Sequence, residues 1–129
     1  MKPLDDLFVL DLSRILSGPF CSMMLGDMGA TVVKVEPPPR GDDTRLWGPP
    51  FVNGISTYFL SINRNKRSIS IDLKSEEGKG VLWRLLAGAD VLVEGYRPGV
   101  AERLGVGPDD VLARNPRLVY GRMTGWGQE

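Results

Sequence analysis

Short apolar runs alternate with helix-length stretches along the first third of the chain. The run Phe8–Leu12 is mostly apolar, as expected for a strand that is covered on both faces. A helix is predicted to begin at Ser17–Pro19, with Pro19 at its first position, and to end at Gly29 in a left-handed turn. The β-branched run Thr31–Val35 follows at once. A strand, a helix and a strand joined by short links predict a right-handed βαβ unit with parallel strands.

The first predicted helix carries large apolar side chains at helical spacing. They are Phe20, Met23, Met24 and Met28. Core packing is the simplest interpretation of such a stripe. Cys21 lies beside them, and we interpret it as a small buried residue because free cysteine is usually buried.

The second part of the chain repeats this pattern after a long loop. Three successive prolines end the first unit, and glycine, proline and isolated aromatics predict a partly ordered loop over residues 40–55. Ser68–Leu73 alternates polar and apolar residues, which predicts a strand with one buried face. Ser75 can cap a helix whose buried stripe runs over Val81–Leu86, and Val91–Val93 is the next predicted strand.

Two short helices and a last strand complete the predicted elements. The helices are expected at Val100–Leu104 and after Gly107, and the strand at Leu118–Tyr120. The order of elements predicts the α/β class: a Rossmann-like, mainly parallel sheet with helices on both faces. We expect residues 1–129 to form a single such segment. No closing helix follows the last strand, so we also expect the chain to be a fragment of a longer protein.

Composition and charge exclude several function classes. The 129 residues include 16 Lys+Arg, 16 Asp+Glu, one cysteine and no histidine. Zero net charge gives no field toward nucleic acid, and the cysteine and histidine counts exclude a disulfide framework, a Cys/His zinc set and a histidine-based triad. No run approaches the ~20 apolar residues of a membrane span, and no signal peptide is visible. We therefore predict a cytoplasmic protein that neither binds nucleic acid nor spans a membrane.

Candidate chemistry lies mainly in basic residues near the predicted strands. Glu36 stands where a ribose-binding carboxylate would stand, but the glycines of a dinucleotide turn are absent before it. Asn63–Arg67 holds three cations, which could clamp a phosphate or could simply discourage pairing at a sheet edge. Arg97 and Arg103 follow a predicted strand, where open α/β sheets bind ligands. A ligand with several phosphates is predicted if these residues converge.

Several segments together resemble family III CoA-transferases, in order and at matching spacing over essentially the whole chain. The segments are Phe8–Ser13 with Gly18 and Pro19, Leu25–Ala30, Val32–Pro37, Gly41–Arg45, Asn63–Lys74 and Val93–Gly99. The ending, Arg122–Gln128, resembles the α-methylacyl-CoA racemase branch of that family.

The resemblance implies the amino-terminal part of a Rossmann-like large domain that binds acyl-CoA. It implies CoA or acyl-CoA as substrate, no separate cofactor, and a homodimer of interlocked subunits. The turn containing Ile15 would approach the CoA arm, and a segment around Tyr96 would contact it. The basic residues implied for the adenosine and phosphates are Arg40, Lys66, Arg67, Arg97 and Arg103.

The resemblance also implies that the catalytic groups lie beyond this chain. The main hypothesis is therefore the CoA-binding part of an α-methylacyl-CoA racemase-like enzyme, inactive alone. One alternative is part of a CoA-transferase that moves CoA between carboxylic acids. The other is a non-catalytic α/β module that self-associates.

Overall fold

A parallel five-stranded sheet forms the centre of the computed structural model, which describes residues 1–128. Its strands are β1 (Phe8–Asp11), β2 (Thr31–Glu36), β5 (Lys66–Ser70), β6 (Val91–Glu94) and β7 (Val119–Arg122). A separate hairpin pairs β3 (Phe51–Val52) with β4 (Ile55–Ser56). The helices are α1 (Ser17–Asp27), α2 (Thr57–Ile62), α3 (Glu76–Leu86), α4 (Val100–Arg103) and α5 (Pro108–Arg114). This architecture confirms the predicted α/β class.

The strand order is β5-β2-β1-β6-β7, so the chain changes direction beside β1. The first crossover places β2 on one side of β1, and β5 extends the sheet on that side. The chain then crosses back, through α3, to place β6 on the other side of β1. In open parallel sheets, ligands bind outside the carboxyl ends of the strands at such a reversal.

The two faces of the sheet carry separate apolar clusters, because side chains alternate along each strand. The larger cluster joins the strand face of Leu10 to α3 and α5. Its fully buried members include Leu10, Leu82, Leu86, Leu92 and Val111. The smaller cluster lies on the α1 side and contains Val9, Ala30, Val32 and Val93. Helices therefore cover both faces, as the pattern predicted.

The predicted stripe on α1 is wrong for three of its four residues. Met23 is buried, but Phe20, Met24 and Met28 are 47%, 44% and 39% exposed. The reason is a close approach of α1 to the sheet, which favours small residues at Gly18, Ser22 and Gly26 on its inner side. A Cβ at Gly26 would lie 3.2 Å from the carbonyl oxygen of Asn65. The large side chains are therefore displaced to the outer side.

Three local predictions also differ from the structure. Residues 40–55 are more ordered than predicted, because they include a 3-10 helix (Asp43–Leu46), strand β3 and the first residue of β4. Strand β5 is Lys66–Ser70 and not Ser68–Leu73, because its pairing with β2 runs from Lys66 opposite Val32 to Ser70 opposite Glu36. Pro19 is the third residue of α1, where a missing N–H still costs no intrahelical hydrogen bond.

Candidate ligand-binding site

A cavity of about 620 Å³ opens at the carboxyl ends of the strands. It is bordered by the segments that follow β1, β2, β5 and β6, and so it lies at the reversal of strand order. Its lining residues are Leu12, Arg14, Val35, Glu36, Pro37, Ile71, Asp72, Leu73, Lys74, Gly95, Tyr96, Arg97, Val100 and Leu104.

The cavity combines a basic rim with an apolar interior. Arg14, Lys74 and Arg97 are exposed basic residues that come from three different loops. Most of the other lining residues are aliphatic, with the half-buried ring of Tyr96 and the two acidic residues Glu36 and Asp72, so the cations outnumber the acids by one. Guanidinium groups bind phosphate bidentately and an ammonium adds a point charge, while apolar walls accept a flat ring. The cavity therefore suits an anionic ligand that also carries an apolar or aromatic part.

The loop that carries Tyr96 is anchored by a buried carboxylate at the end of β6. Glu94 is 1% exposed, and its Oε2 accepts a hydrogen bond of 2.6 Å from the backbone N–H of Tyr96. Its Oε1 accepts one of 3.0 Å from Arg122, which also donates to Glu102. Burial raises the pKa of Tyr96 above its ordinary value. The aromatic wall of the cavity is thus held from β6, β7 and α4.

Glu36 is fully engaged within the protein. Its carboxylate accepts two hydrogen bonds from Arg45, of 2.7 and 2.6 Å, and one of 2.6 Å from Ser68. Burial raises the pKa of Glu36, but these bonds and one from the Asp42 N–H outweigh it and lower the pKa to about 2. Both oxygens are occupied within the protein, which disfavours the ribose-binding role considered from the position of Glu36 in the sequence.

The structure brings two of the predicted site residues into the cavity, Tyr96 and Arg97. Ile15 lies in the turn beside Arg14 but does not line the cavity. Arg40 follows β2 and is exposed. Arg103 is exposed on α4, with its guanidinium beside Gly99 at the end of the Arg97 loop.

The basic cluster Asn63–Arg67 does not converge with Arg97. It lies at the amino end of β5, whereas the cavity lies at the carboxyl ends of the strands. The side chain of Lys66 is 2% exposed, and its Nζ donates to Pro19 O at 2.7 Å, Asn63 Oδ1 at 2.9 Å and Asp11 Oδ2 at 3.2 Å. Burial lowers the pKa of Lys66 to about 8, although Asp11 acts in the opposite direction.

The other two cations of this cluster differ in their surroundings. Arg64 forms an ion pair of 2.6 Å with Asp27 of α1. Arg67 is exposed on the edge strand β5. The single convergent clamp that the sequence left open is therefore not formed by these residues.

Sequence reasoning missed two basic residues of the cavity, Arg14 and Lys74. Both come within four residues of the end of a strand, β1 and β5 respectively. Their position relative to the predicted strands was the available signal, because carboxyl ends of parallel strands meet at one edge. The three-cation cluster was the more prominent pattern, and it drew attention to the wrong end of β5.

Comparison with known proteins identifies the family. The family model for CoA-transferase family III matches residues 4–129. The chain belongs to this family. It is 52% identical over 128 residues to a succinyl-CoA:glutarate CoA-transferase of Mus musculus, covering 99% of this chain and 29% of that protein. It is 45% identical over 126 residues to an acetyl-CoA:oxalate CoA-transferase of Acetobacter aceti, covering 98% and 32%.

A solved structure gives the same assignment for the fold. A crystal structure of a CAIB/BAIF family protein from Brucella suis superposes on this family III chain with a TM-score of 0.94. The sequence identity is 46%, over 99% of this chain and 35% of that one. The chain thus spans about a third of the length of the relatives that it matches. Among residues 1–128, none of the helices is long and apolar enough to cross a membrane.

Proposed function

We propose that this family III chain forms the CoA-binding part of a CoA-transferase, an enzyme that moves CoA between carboxylic acids. The observation that carries the proposal is the cavity at the carboxyl ends of the strands, with its basic rim and apolar interior. CoA has both matching parts, because its nucleotide end joins a flat adenine base to a diphosphate and a 3′-phosphate. The proposal needs no separate cofactor, since CoA or acyl-CoA is the substrate.

The adenine base would pack in the apolar interior beside Tyr96, and the phosphates would lie at the rim. Arg14 and Arg97 would bind phosphate oxygens bidentately, and Lys74 would add a mobile charge. These three side chains come from separate loops, so together they can follow a ligand with phosphates at two positions. The phosphates of CoA account for the basic residues at the rim, so the ligand needs no carboxylate there.

The remaining predicted residues have less direct support. We propose that the turn containing Ile15 contacts the extended arm of CoA, since it adjoins Arg14. Arg40 and Arg103 are exposed near the same edge of the sheet and would supply outer phosphate contacts. A ligand contact by Lys66 or Arg67 stays a prediction, and the buried hydrogen bonds of Lys66 do not favour it.

The relatives favour a transferase over the racemase branch that was the main hypothesis. The curated proteins compared above are named as CoA-transferases for glutarate and oxalate, and a third relative, 44% identical, is a succinyl-CoA--D-citramalate CoA-transferase. The racemase assignment depended on Arg122–Gln128 alone, a short segment of which residues 124–127 are exposed. We therefore propose carboxylic acids as the CoA acceptors, with the catalytic groups outside this chain.

We also propose that the chain acts as a homo-oligomer in the cytoplasm. The outer side of α1 supports self-association, because it exposes Leu16, Phe20, Met24 and Met28 in one row. The cytoplasmic location is carried over from the sequence and stays a prediction.

Calorimetric titration of the chain with CoA tests the proposed function. We expect saturable binding of CoA, weaker binding of dephospho-CoA, and about tenfold weaker CoA binding in Arg97→Ala, because a charge-assisted phosphate contact is lost. Arg84→Ala is the matched control, since Arg84 is an exposed arginine in the last turn of α3. Absence of binding by the wild-type chain at millimolar CoA, or equal losses in the two variants, would contradict the proposal.

A further inference from the structure

Lys34 of β2 is a buried cation that joins two loops. It is 1% exposed and is the largest fully buried side chain. Its Nζ donates a hydrogen bond of 2.8 Å to the carbonyl oxygen of Ser13, in the loop after β1. The same Nζ lies 2.8 Å from Oδ2 of Asp42, in the segment after β2. Burying a charge is costly unless it is paired, so this position is specific for a cation.

The loop that Lys34 holds is constrained from several directions. Asp11 is fully buried, and its Oδ1 accepts hydrogen bonds from both the N–H and the hydroxyl of Ser13. Gly18 packs so closely on Ser13 that a Cβ would not fit. Ile15 adopts a φ of 71°, a left-handed conformation that β-branched residues adopt only when their surroundings enforce it. These contacts connect the loop to β1 and α1, and the hydrogen bond from Lys34 connects it to β2.

The second loop is equally well ordered around Asp42. Oδ1 of Asp42 accepts hydrogen bonds from the N–H and the hydroxyl of Thr44, at 3.0 and 2.8 Å. The neighbouring Asp43 carries a carboxylate 3.6 Å from the guanidinium of Arg14. The pair Arg14–Asp43 is thus a second contact between the two loops that Lys34 joins, and Arg14 lies at the rim of the cavity.

We infer that Lys34 is a positioning residue for ligand binding: by joining Ser13 to Asp42, it sets the position from which Arg14 reaches the cavity. This inference rests on the proposed function, because it assumes that Arg14 binds a phosphate of CoA. Lys34 itself contacts no ligand. Its charge is balanced by Asp42, so removing the two charges together leaves no unpaired ion in the interior.

A double-mutant cycle on CoA affinity tests the coupling between Lys34 and Arg14, which do not touch. The variants are Arg14→Ala, the charge-free pair Lys34→Met with Asp42→Asn, and their combination. We expect Arg14→Ala to weaken binding about tenfold in the wild-type background and less than about threefold in the charge-free background. If Lys34 only stabilised the fold, the charge-free pair would have a lower melting temperature, but Arg14→Ala would weaken CoA binding equally in both backgrounds. That result would overturn the inference.

Two further variants keep the test decisive. Lys79→Met is the control, because Lys79 forms an ion pair with Glu76 on α3, and Arg14→Ala should lose the same tenfold in that background. If the charge-free pair does not fold, Lys34→Arg replaces it in the cycle. That variant keeps a cation beside Asp42 but changes the length and geometry of the link to Ser13, so equal losses there also overturn the inference, and reduced losses support it.

Hydrogen exchange separates failure of this inference from failure of the proposed function. If the wild-type chain binds no CoA, the proposed function is wrong, and the role of Lys34 is tested on the ligand-free chain. The amide of Ser13, which donates to Asp11, should then exchange at least about tenfold faster in the charge-free pair than in wild type, with α3 unchanged. Equal exchange in the loop would overturn the positioning role.

Discussion

Helices α1 and α3 each have 11 residues and lie on opposite faces of the same sheet, but they differ in the kind of side chain that they bury against it. Helix α3 is amphipathic: Leu82 and Leu86 are buried, whereas Glu76, Glu77 and Arg84 are exposed. Its first turn is capped, because the N–H of Gly78 donates to the Ser75 hydroxyl. The apolar side of α3 is therefore buried within this chain, against the larger cluster.

Helix α1 is small on its inner side and apolar on its outer side. Gly18, Ser22 and Gly26 face inward, and the row that includes Phe20 and Met24 faces outward. No side chain caps its first turn. The face it covers also contains buried ions, because Lys34 and Glu36 alternate with the valines of β2. Apolar residues at helical spacing therefore predict a helix, but they do not say whether those residues face the core or the outside of the chain.

The largest expected effect separates the two helices by stability. Leu82→Ala should lower the free energy of unfolding by about 3 kcal/mol, because Leu82 is fully buried against the larger core. Met24→Ala should change it by less than about 0.5 kcal/mol, because Met24 is 44% exposed. Urea unfolding at a fixed low protein concentration measures both. A large loss in Met24→Ala would mean that α1 is buried in the isolated chain.

A somewhat smaller effect concerns the ions on the α1 side. The pKa of Glu36 is about 2 in the folded chain against an ordinary value of 4.5. A lowered carboxyl pKa stabilises the folded state above pH 4.5, and this contribution, about 3 kcal/mol at most, is lost as the pH falls from 4.5 toward 2. Glu36→Gln should flatten this acid dependence in urea unfolding series.

The control for that series lies on α3. Glu76 is an exposed carboxylate, so Glu76→Gln should leave the decline between pH 4.5 and 2 as steep as in wild type. If Glu36→Gln and Glu76→Gln give the same acid dependence, the network around Glu36 contributes nothing specific.

The smallest effect on stability is expected on the outer row of α1, where the readout is self-association. Phe20→Lys with Met24→Lys should shift the sedimentation of a self-associated chain toward monomer, because charges replace the exposed apolar row. Leu112→Lys, at an exposed leucine on α5, is the matched control. A wild-type chain that sediments as a monomer at all concentrations would remove the basis for the proposed homo-oligomer.

Much of the fold could be predicted because it depends on local patterns. The apolar strand runs, Gly29 after α1 and Ser75 before α3 each encode their element through neighbouring residues. Short links from strand to helix and from helix to strand then restrict the neighbouring strands to a parallel arrangement. Arg97 was predicted for the same reason, since it follows a recognisable strand, whereas Tyr96 was implied by the family resemblance.

The sequence by itself determined the order of strands and helices, the parallel sheet and the edge where a ligand would bind, because these follow from side-chain periodicity and chain connectivity. Only the tertiary structure decided which cations reach that edge. Lys66 stands in the most basic segment, but its side chain is buried and its ammonium donates to Asp11, Pro19 and Asn63. Arg14 stands alone in the sequence, yet the register of β1, β2 and β6 places it at the cavity. A charge pattern in the sequence shows which charged residues are neighbours along the chain. The convergence of cations at one site depends instead on distances between residues that are far apart in sequence.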